Sequence, residues 1–345
     1  MGNSGSSDRP NERQKEWLKE HHEYQCKEAA KAIKEADMFL LSIGAGFSAD
    51  SGLAVYNDIA DIPAYHELNL EYHDLCTVQW FMKEEAKGIA YGFWGKCFND
   101  YREATPHKGY HIIKEWQKLF FSKNELKGPD FFPNEFSRLY DITWNKELDD
   151  INVNDVSLHN PKIDPFFVFS SNVDSHPFRA GYKPEEVYEI HGTVENWQCM
   201  GFPSCGYADE NGNIGTPSIW KAPKDFKFDI DINTMIALNT PSSINIDDTD
   251  KISSSFKSNF PTCIHCGKTA RPNVLMFGDP NFIEDKVGFK RYTTWNELSA
   301  KWLDRKKKLV ILEVGCGNNV PTVRCNSERK FSYNLIERII IDFIF

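Results

Sequence analysis

A few short apolar runs interrupt a chain that is otherwise polar. Met38–Ile43, Phe166–Phe169, Val187–Ile190, Asn273–Phe277 and Leu309–Val314 are each four to six residues long and rich in β-branched or aromatic side chains. Runs this short, with apolar residues at consecutive positions, predict strands buried on both faces. Longer stretches with helical spacing lie between them. Asn11–Ala36 is rich in Lys, Glu and Ala with no Pro or Gly and predicts one long helix. Cys76–Glu103 predicts one or two helices, Lys108–Phe121 another that starts after Pro106, and Tyr292–Lys307 a fourth. The basic cluster Arg305–Lys308 is the exposed end of that helix. Strands that alternate with helices predict an α/β fold around a parallel sheet. Arg338–Asp342 is a further strand candidate near the end of the chain.

Two segments carry no sustained period. Ser122–Asp164 is polar with widely spaced prolines and reads as a surface insertion. Pro241–Asn259 is rich in Ser and Asp and reads as mobile. Met1–Asp8 is a Gly/Ser-rich tail whose start, MGNSGS, fits the pattern for myristoylation of Gly2, with Ser6 as the small hydroxyl residue. A plain flexible tail fits it as well, and a single acyl chain would give only reversible membrane attachment.

The predicted strands end alike. After Met38–Ile43 comes Gly44-Ala45-Gly46-Phe47-Ser48, and after Phe166–Phe169 come Ser170, Ser171, Asn172 and Asp174. Val187–Ile190 ends at His191 and Gly192, and Leu309–Val314 at Gly315-Cys316-Gly317. In a parallel sheet, ligands gather beyond the carboxyl ends of the strands, so these residues are the candidate site. Glycines after the first strand let a backbone approach a pyrophosphate, although GxG alone also suits a tight turn. His176 follows Asp174 closely and reads as a solvated or packed loop residue; His107 and His111 read as capping or packing residues.

Charge and cysteine content narrow the classes. The net charge of −10 over 345 residues argues against general affinity for nucleic acid phosphates. No apolar run approaches the ~20 residues of a membrane-spanning helix, and the N-terminus lacks the apolar core of a secretory signal. The expectation is an intracellular protein, cytoplasmic or nuclear, whose nine cysteines are thiols or metal ligands. Cys199-x5-Cys205 and Cys263-x2-Cys266 pair locally, as two knuckles around one tetrahedral zinc would. Four thiolates leave no open position, so such a zinc holds structure together and takes no part in chemistry. Cys26, Cys76, Cys97, Cys316 and Cys325 are scattered.

In their order along the chain these motifs resemble the sirtuin family of NAD-dependent protein deacylases. The resembling residues are GAGFSADSGL at Gly44–Leu53, SSNVD and RAG within Ser170–Gly181, EIHG at Glu189–Gly192, the four cysteines, RPNVLMFGD at Arg271–Asp279 and VGCG at Val314–Gly317. They span most of residues 38–321, and the pattern is similar to a divergent microbial branch. The resemblance implies an α/β fold with a Rossmann-like NAD-binding domain (11–58, 104–194 and 268–345). It also implies a smaller helical plus zinc-binding domain (59–103 and 195–267). NAD and an acylated lysine of a protein or peptide would meet between the two.

The resemblance also assigns roles. His191 would be the catalytic base, with Asn172 and Asp174 lining the nicotinamide and ribose pocket. Gly44, Ala45, Gly46, Ser48, Tyr56, Ser171, Gly315 and Cys316 would complete the cofactor contacts, and Phe277, Gly278 and Asp279 the edge that receives the peptide. Several residues depart from the family pattern. Ser170-Ser171-Asn172 stands for Thr-Gln-Asn, Tyr56-Asn57 for Phe-Arg, Asp279 for the commoner Glu, and Cys316-Gly317 for Thr-Ser. Asp342 takes the place of Asn near the chain end, and the segment that would cradle the adenine beyond it is absent from the 345 residues. Three readings stay open: a deacylase, an NAD hydrolase or ADP-ribosyltransferase using the same cleft, and a weakened NAD-binding scaffold.

Overall fold

The computed structural model describes residues 12–55, 57–121, 165–201, 205, 219–242, 250–304, 306–317, 321–330 and 336–341. Five parallel strands form the main sheet. They are β1 (Met38–Ile43), β2 (Phe166–Ser170), β3 (Val187–Glu189), β9 (Leu309–Val314) and β10 (Ile336–Ile341), in the order β10-β9-β1-β2-β3. The apolar runs are buried on both faces because each strand alternates its side chains between two cores. Phe39, Leu41, Ile43, Val310 and Leu312 face a cluster with Tyr110 and Ile113 of the helix Lys108–Trp116. Met38, Leu40, Phe167, Leu309 and Ile311 face the opposite way, against Tyr292, Trp295 and Trp302 of the helix Lys286–Asp304.

A second sheet is antiparallel: β5 (Trp220–Lys221), β4 (Gly192–Cys199) and β8 (Ala270–Val274) in the order β5-β4-β8. The helix Lys87–Glu103 packs on it, and Tyr91, Phe93, Trp94 and Phe98 share a third core with Trp197, Phe226, Phe228 and Phe256. The hairpin β6 (Ile230–Asp231) and β7 (Ile236–Ala237) closes this core.

The predicted elements recur with shifted edges. The N-terminal helix is Glu12–Glu35, and Cys76–Glu103 holds the helices Gln79–Met82 and Lys87–Glu103. The Lys108 helix passes into a π-helical turn at Gln117–Phe121. The strand expected at Asn273–Phe277 lies at Ala270–Val274 and joins the antiparallel sheet. Its last predicted residues form a turn because Arg271 donates to the Val274 carbonyl at 3.1 Å and ion-pairs with Asp279 at 2.6 Å. The 241–259 stretch contains a helix, Lys251–Ser255, since Asp250 caps it by accepting from the Ile252 and Ser253 amides. Residues 122–164, the Gly2 site and Asp342 lie outside the described residues. Among the described residues no helix is long and apolar enough to cross a membrane.

Strands β1, β2 and β3 step outward on one side of β1, and the chain then crosses to β9 and β10 on the other. The carboxyl ends of β1 and β9 therefore flank a topological switch point, where an open α/β sheet forms a crevice. The two ends touch. Gly44 donates to the Val314 carbonyl and Gly46 to the Gly315 carbonyl, each at 3.0 Å. A Cβ on Gly44 would lie 2.3 Å from the Gly315 carbonyl oxygen, and one on Gly315 2.0 Å from the Phe47 amide nitrogen. Gly315 also has φ +63°, which a residue with a Cβ adopts only with strain. Gly315→Ala is expected to lower unfolding stability by about 2–4 kcal/mol. Equilibrium urea denaturation checks this, and an unchanged midpoint would refute the close-packing account.

Candidate active site and metal centre

The polar residues after β2 fold back under the end of β1. Asn172 and Asp174 are buried and converge on Ser48, which lies in the short helix Ala45–Ala49 after the glycine turn. Ser48 donates to Asp174 Oδ2 at 2.5 Å and accepts from Asn172 Nδ2 at 3.0 Å. Tyr110 Oη stands 3.1 Å from the same Ser48 oxygen. Since the one Ser48 proton goes to the carboxylate, the phenol is the donor there. The other Asp174 oxygen accepts the His176 amide at 2.9 Å. The carboxylate is thus fixed by two donors in one orientation.

His191 follows β3 and is half-buried. Its Nδ1 lies 3.1 Å from the Ser171 carbonyl oxygen, which can only accept, so the proton sits on Nδ1. Nε2 is then the basic nitrogen. Burial pushes the imidazole below its usual value, opposed by the hydrogen bond to Ser171, and leaves it neutral at pH 7. Glu189, two residues earlier, is held well above the usual carboxyl range by burial and by the nearby Asp174. The strand that carries the base therefore adds no second buried negative charge beside Asp174.

Ala45, Ser48, Ser171, Asn172, Asp174 and His191 line one cavity of about 360 Å³. Its opposite wall is apolar and includes Tyr72, Cys76, Trp94, Val274 and Met276. Sequence reasoning did not single out this wall, because its helical residues read only as core spacing. Tyr110, which completes the Ser48 cluster, carried no polar motif either. The Asn172 Oδ1 atom is buried with no hydrogen-bond partner, an acceptor that a bound amide or hydroxyl would satisfy.

The remaining predicted residues divide. Gly44, Gly46 and Gly315 lie at the close β1–β9 contact and not in the cavity wall. The amides of Gly44 and Gly46 bond to β9, so these glycines serve close approach of backbone to backbone. The Cys316 side chain turns into the core, where its thiol donates to the Ser42 carbonyl at 3.4 Å. Only its backbone borders the crevice. Tyr56 lies outside the described residues. His176 is fully buried and stands edge-on to Tyr110, and His107 caps its helix by accepting from the Gly109 amide.

The Phe277–Asp279 edge lies at the cavity mouth. The Leu275 amide donates to the His191 carbonyl and the Phe277 amide to the Cys76 carbonyl, each at 2.9 Å. Phe277 is partly exposed and stacks on His73 at 4.3 Å. The fully buried Asp279 carboxylate is anchored by Arg271, so the turn between them is rigidly tied to β8.

The four cysteines form one cluster. Cys199 ends β4, opposite Ala270 of β8, and this pairing returns Cys263 and Cys266 to Cys199 across the long sequence gap. The Sγ separations are 3.6 Å for Cys199–Cys266, 3.7 Å for Cys205–Cys263 and 3.5 Å for Cys205–Cys266, and all four sulfurs lie within 4.8 Å of one another. Tetrahedral zinc with bonds of about 2.3 Å needs sulfurs about 3.8 Å apart, so the cluster fits it. The Gly201 and His265 amides donate to the Cys199 and Cys263 sulfurs at 3.3 and 3.4 Å, an arrangement that favours thiolates. His265 contributes its amide, and the thiolate set is complete without its ring.

No family model matches the chain. It is 24% identical over 268 residues to an NAD-dependent protein deacylase of Candida albicans (strain SC5314 / ATCC MYA-2876), covering 74% of this chain and 70% of that protein. Among solved structures, it is similar to a Sir2 with a p53 peptide and NAD+ (15% identity, TM-score 0.45, 92% of this chain and 85% of the other). A Sir2 bound to acetylated peptide is similar at 15% identity and TM-score 0.44, with the same coverage. The chain is thus similar in sequence to a fungal NAD-dependent protein deacylase, and its four clustered thiols lie between the motifs that carry the sequence resemblance.

Proposed function

We propose that the protein removes acyl groups from lysine side chains, consuming NAD and releasing nicotinamide. The observation that carries this reading is the convergence of Asn172, Asp174 and a neutral His191 on one cavity beside the β1–β9 crevice. NAD supplies the electrophilic sugar carbon and the ribose hydroxyls to which the acyl group is transferred. Asp174 would stabilise the positive charge that develops on the sugar, and its two fixed donors would let it do so without reorienting. His191 Nε2 is the acceptor for a ribose hydroxyl proton, and Nδ1 keeps its own proton on the Ser171 carbonyl. The crevice glycines and Ser171 would hold the dinucleotide. The apolar wall of Tyr72, Cys76, Trp94 and Met276 would take the lysine stem and acyl group and keep water from the sugar.

The substrate would be an extended peptide laid along the Leu275–Gly278 edge. The anchoring of Asp279 by Arg271 supports a rigid template there. Zinc on Cys199, Cys205, Cys263 and Cys266 would join the β4 and β8 ends and stay outside the chemistry, because four thiolates fill its coordination.

Four outcomes are expected. Purified protein with NAD and an acetyl-lysine peptide releases nicotinamide only when peptide is present; release without peptide would indicate an NAD hydrolase instead. In the same assay His191→Ala lowers turnover about 10²–10⁴-fold with the melting temperature retained. The base works unprotonated, and burial holds it below the ordinary imidazole value. Peptide-dependent kcat/KM should therefore be level through neutral pH and fall only on acidification below about 6.5; an acid limb centred above 7 would exclude His191 as the base. Metal analysis should find about one zinc per chain, and Cys263→Ser should lose it together with stability. A fully folded metal-free protein would contradict the structural role.

A further inference from the structure

At the carboxyl end of the main sheet, one face carries a polar group that the proposed chemistry leaves unused. Ser42 of β1 and Glu313 of β9 are neighbours in the ladder, and both are fully buried. Ser42 Oγ lies 3.2 Å from Ser327 Oγ. Arg324, on the helix Thr322–Lys330, reaches the same place. Its Nη2 donates to the Cys316 carbonyl at 2.8 Å, and its Nε stands 3.8 Å from Glu313 Oε2. A carboxylate inside a sheet is costly without an opposite charge, and Arg324 provides one.

The Cys316 carbonyl belongs to the turn that meets the glycine loop. One residue earlier, the Gly315 carbonyl accepts from Gly46, and Gly315 packs against the Phe47 amide. The Cys316 thiol ties the turn to Ser42 from below. Arg324 therefore grips the far side of the turn whose near side forms the crevice. We infer that Arg324 is a positioning residue for the dinucleotide: paired with Glu313, it holds Gly315–Gly317 in the conformation that fits against Gly44–Gly46. The inference rests on the proposed NAD chemistry. A neutral side chain at 324 leaves the Cys316 carbonyl without this donor and Glu313 without this cation, so the turn relaxes and the crevice widens. Asn172, Asp174 and His191 follow β2 and β3, on the other side of β1, and keep their contacts.

The test is Arg324→Met, which keeps length and removes charge, alongside Arg324→Lys. NAD affinity is read by titration calorimetry without peptide, and steady-state constants are measured with an acetyl-lysine peptide. Arg324→Met should weaken NAD binding and raise the NAD KM about tenfold. Peptide KM and kcat at saturating NAD should stay within about twofold, and Arg324→Lys should recover part of the loss. Unchanged NAD affinity in folded Arg324→Met overturns the inference, as does an equal loss in kcat and peptide binding. If Arg324→Met does not fold, Glu313→Gln takes its place: a smaller loss of NAD affinity supports the pairing and none overturns it. Wild-type protein that binds NAD without peptide-dependent turnover counts against the proposed deacylation alone, since calorimetry still decides the role of Arg324.

Discussion

The structure depends on the contact between the ends of β1 and β9. The two strands are adjacent in the sheet but distant in sequence, and they meet backbone to backbone because Gly44, Gly46 and Gly315 present no Cβ there. The same contact places the short helix Ala45–Ala49, and so Ser48, beneath the residues that follow β2. At the cavity, Asp174 is held by Ser48 and also by the His176 amide, which follows β2.

Electrostatics in the cavity follow from the way burial is distributed. Asp174 is buried but supplied with donors, whereas Glu189 is buried with fewer and is driven toward its neutral form. His191 is driven the same way, to neutrality, by burial. One fixed carboxylate beside a neutral imidazole suits a reaction in which positive charge develops on a sugar and a hydroxyl must lose a proton. Two ionised carboxylates there would repel each other and raise the pKa of the base.

The third core is built around aromatic side chains, with Trp197 stacked on Phe228 and edge-on to Phe256. The four thiols gather at its rim, where β4 and β8 end. One face of this body gives the cavity its apolar wall through Trp94, Cys76 and Met276. The Arg271–Asp279 ion pair links the thiol-bearing sheet to the Phe277–Asp279 edge. The thiol cluster, the aromatic core and that edge thus form one body opposite the parallel sheet.

The sequence by itself determined what local pattern can encode. Strands β1, β2 and β9 follow from apolar runs with no polar face, and the candidate site from the small and polar residues after them. Asn172, Asp174 and His191 were legible because they sit immediately beyond those strands. The four cysteines were legible through local pairing, despite 57 intervening residues between Cys205 and Cys263. Tertiary structure decided the rest, because contacts between distant segments leave no local signature. Tyr110 joins Ser48 from another helix, Arg271 converts the end of a predicted strand into an anchored turn, and Cys316 spends its thiol on Ser42. The glycine turn after β1 announced a close approach, but only the fold shows that the partner in that approach is the backbone of β9.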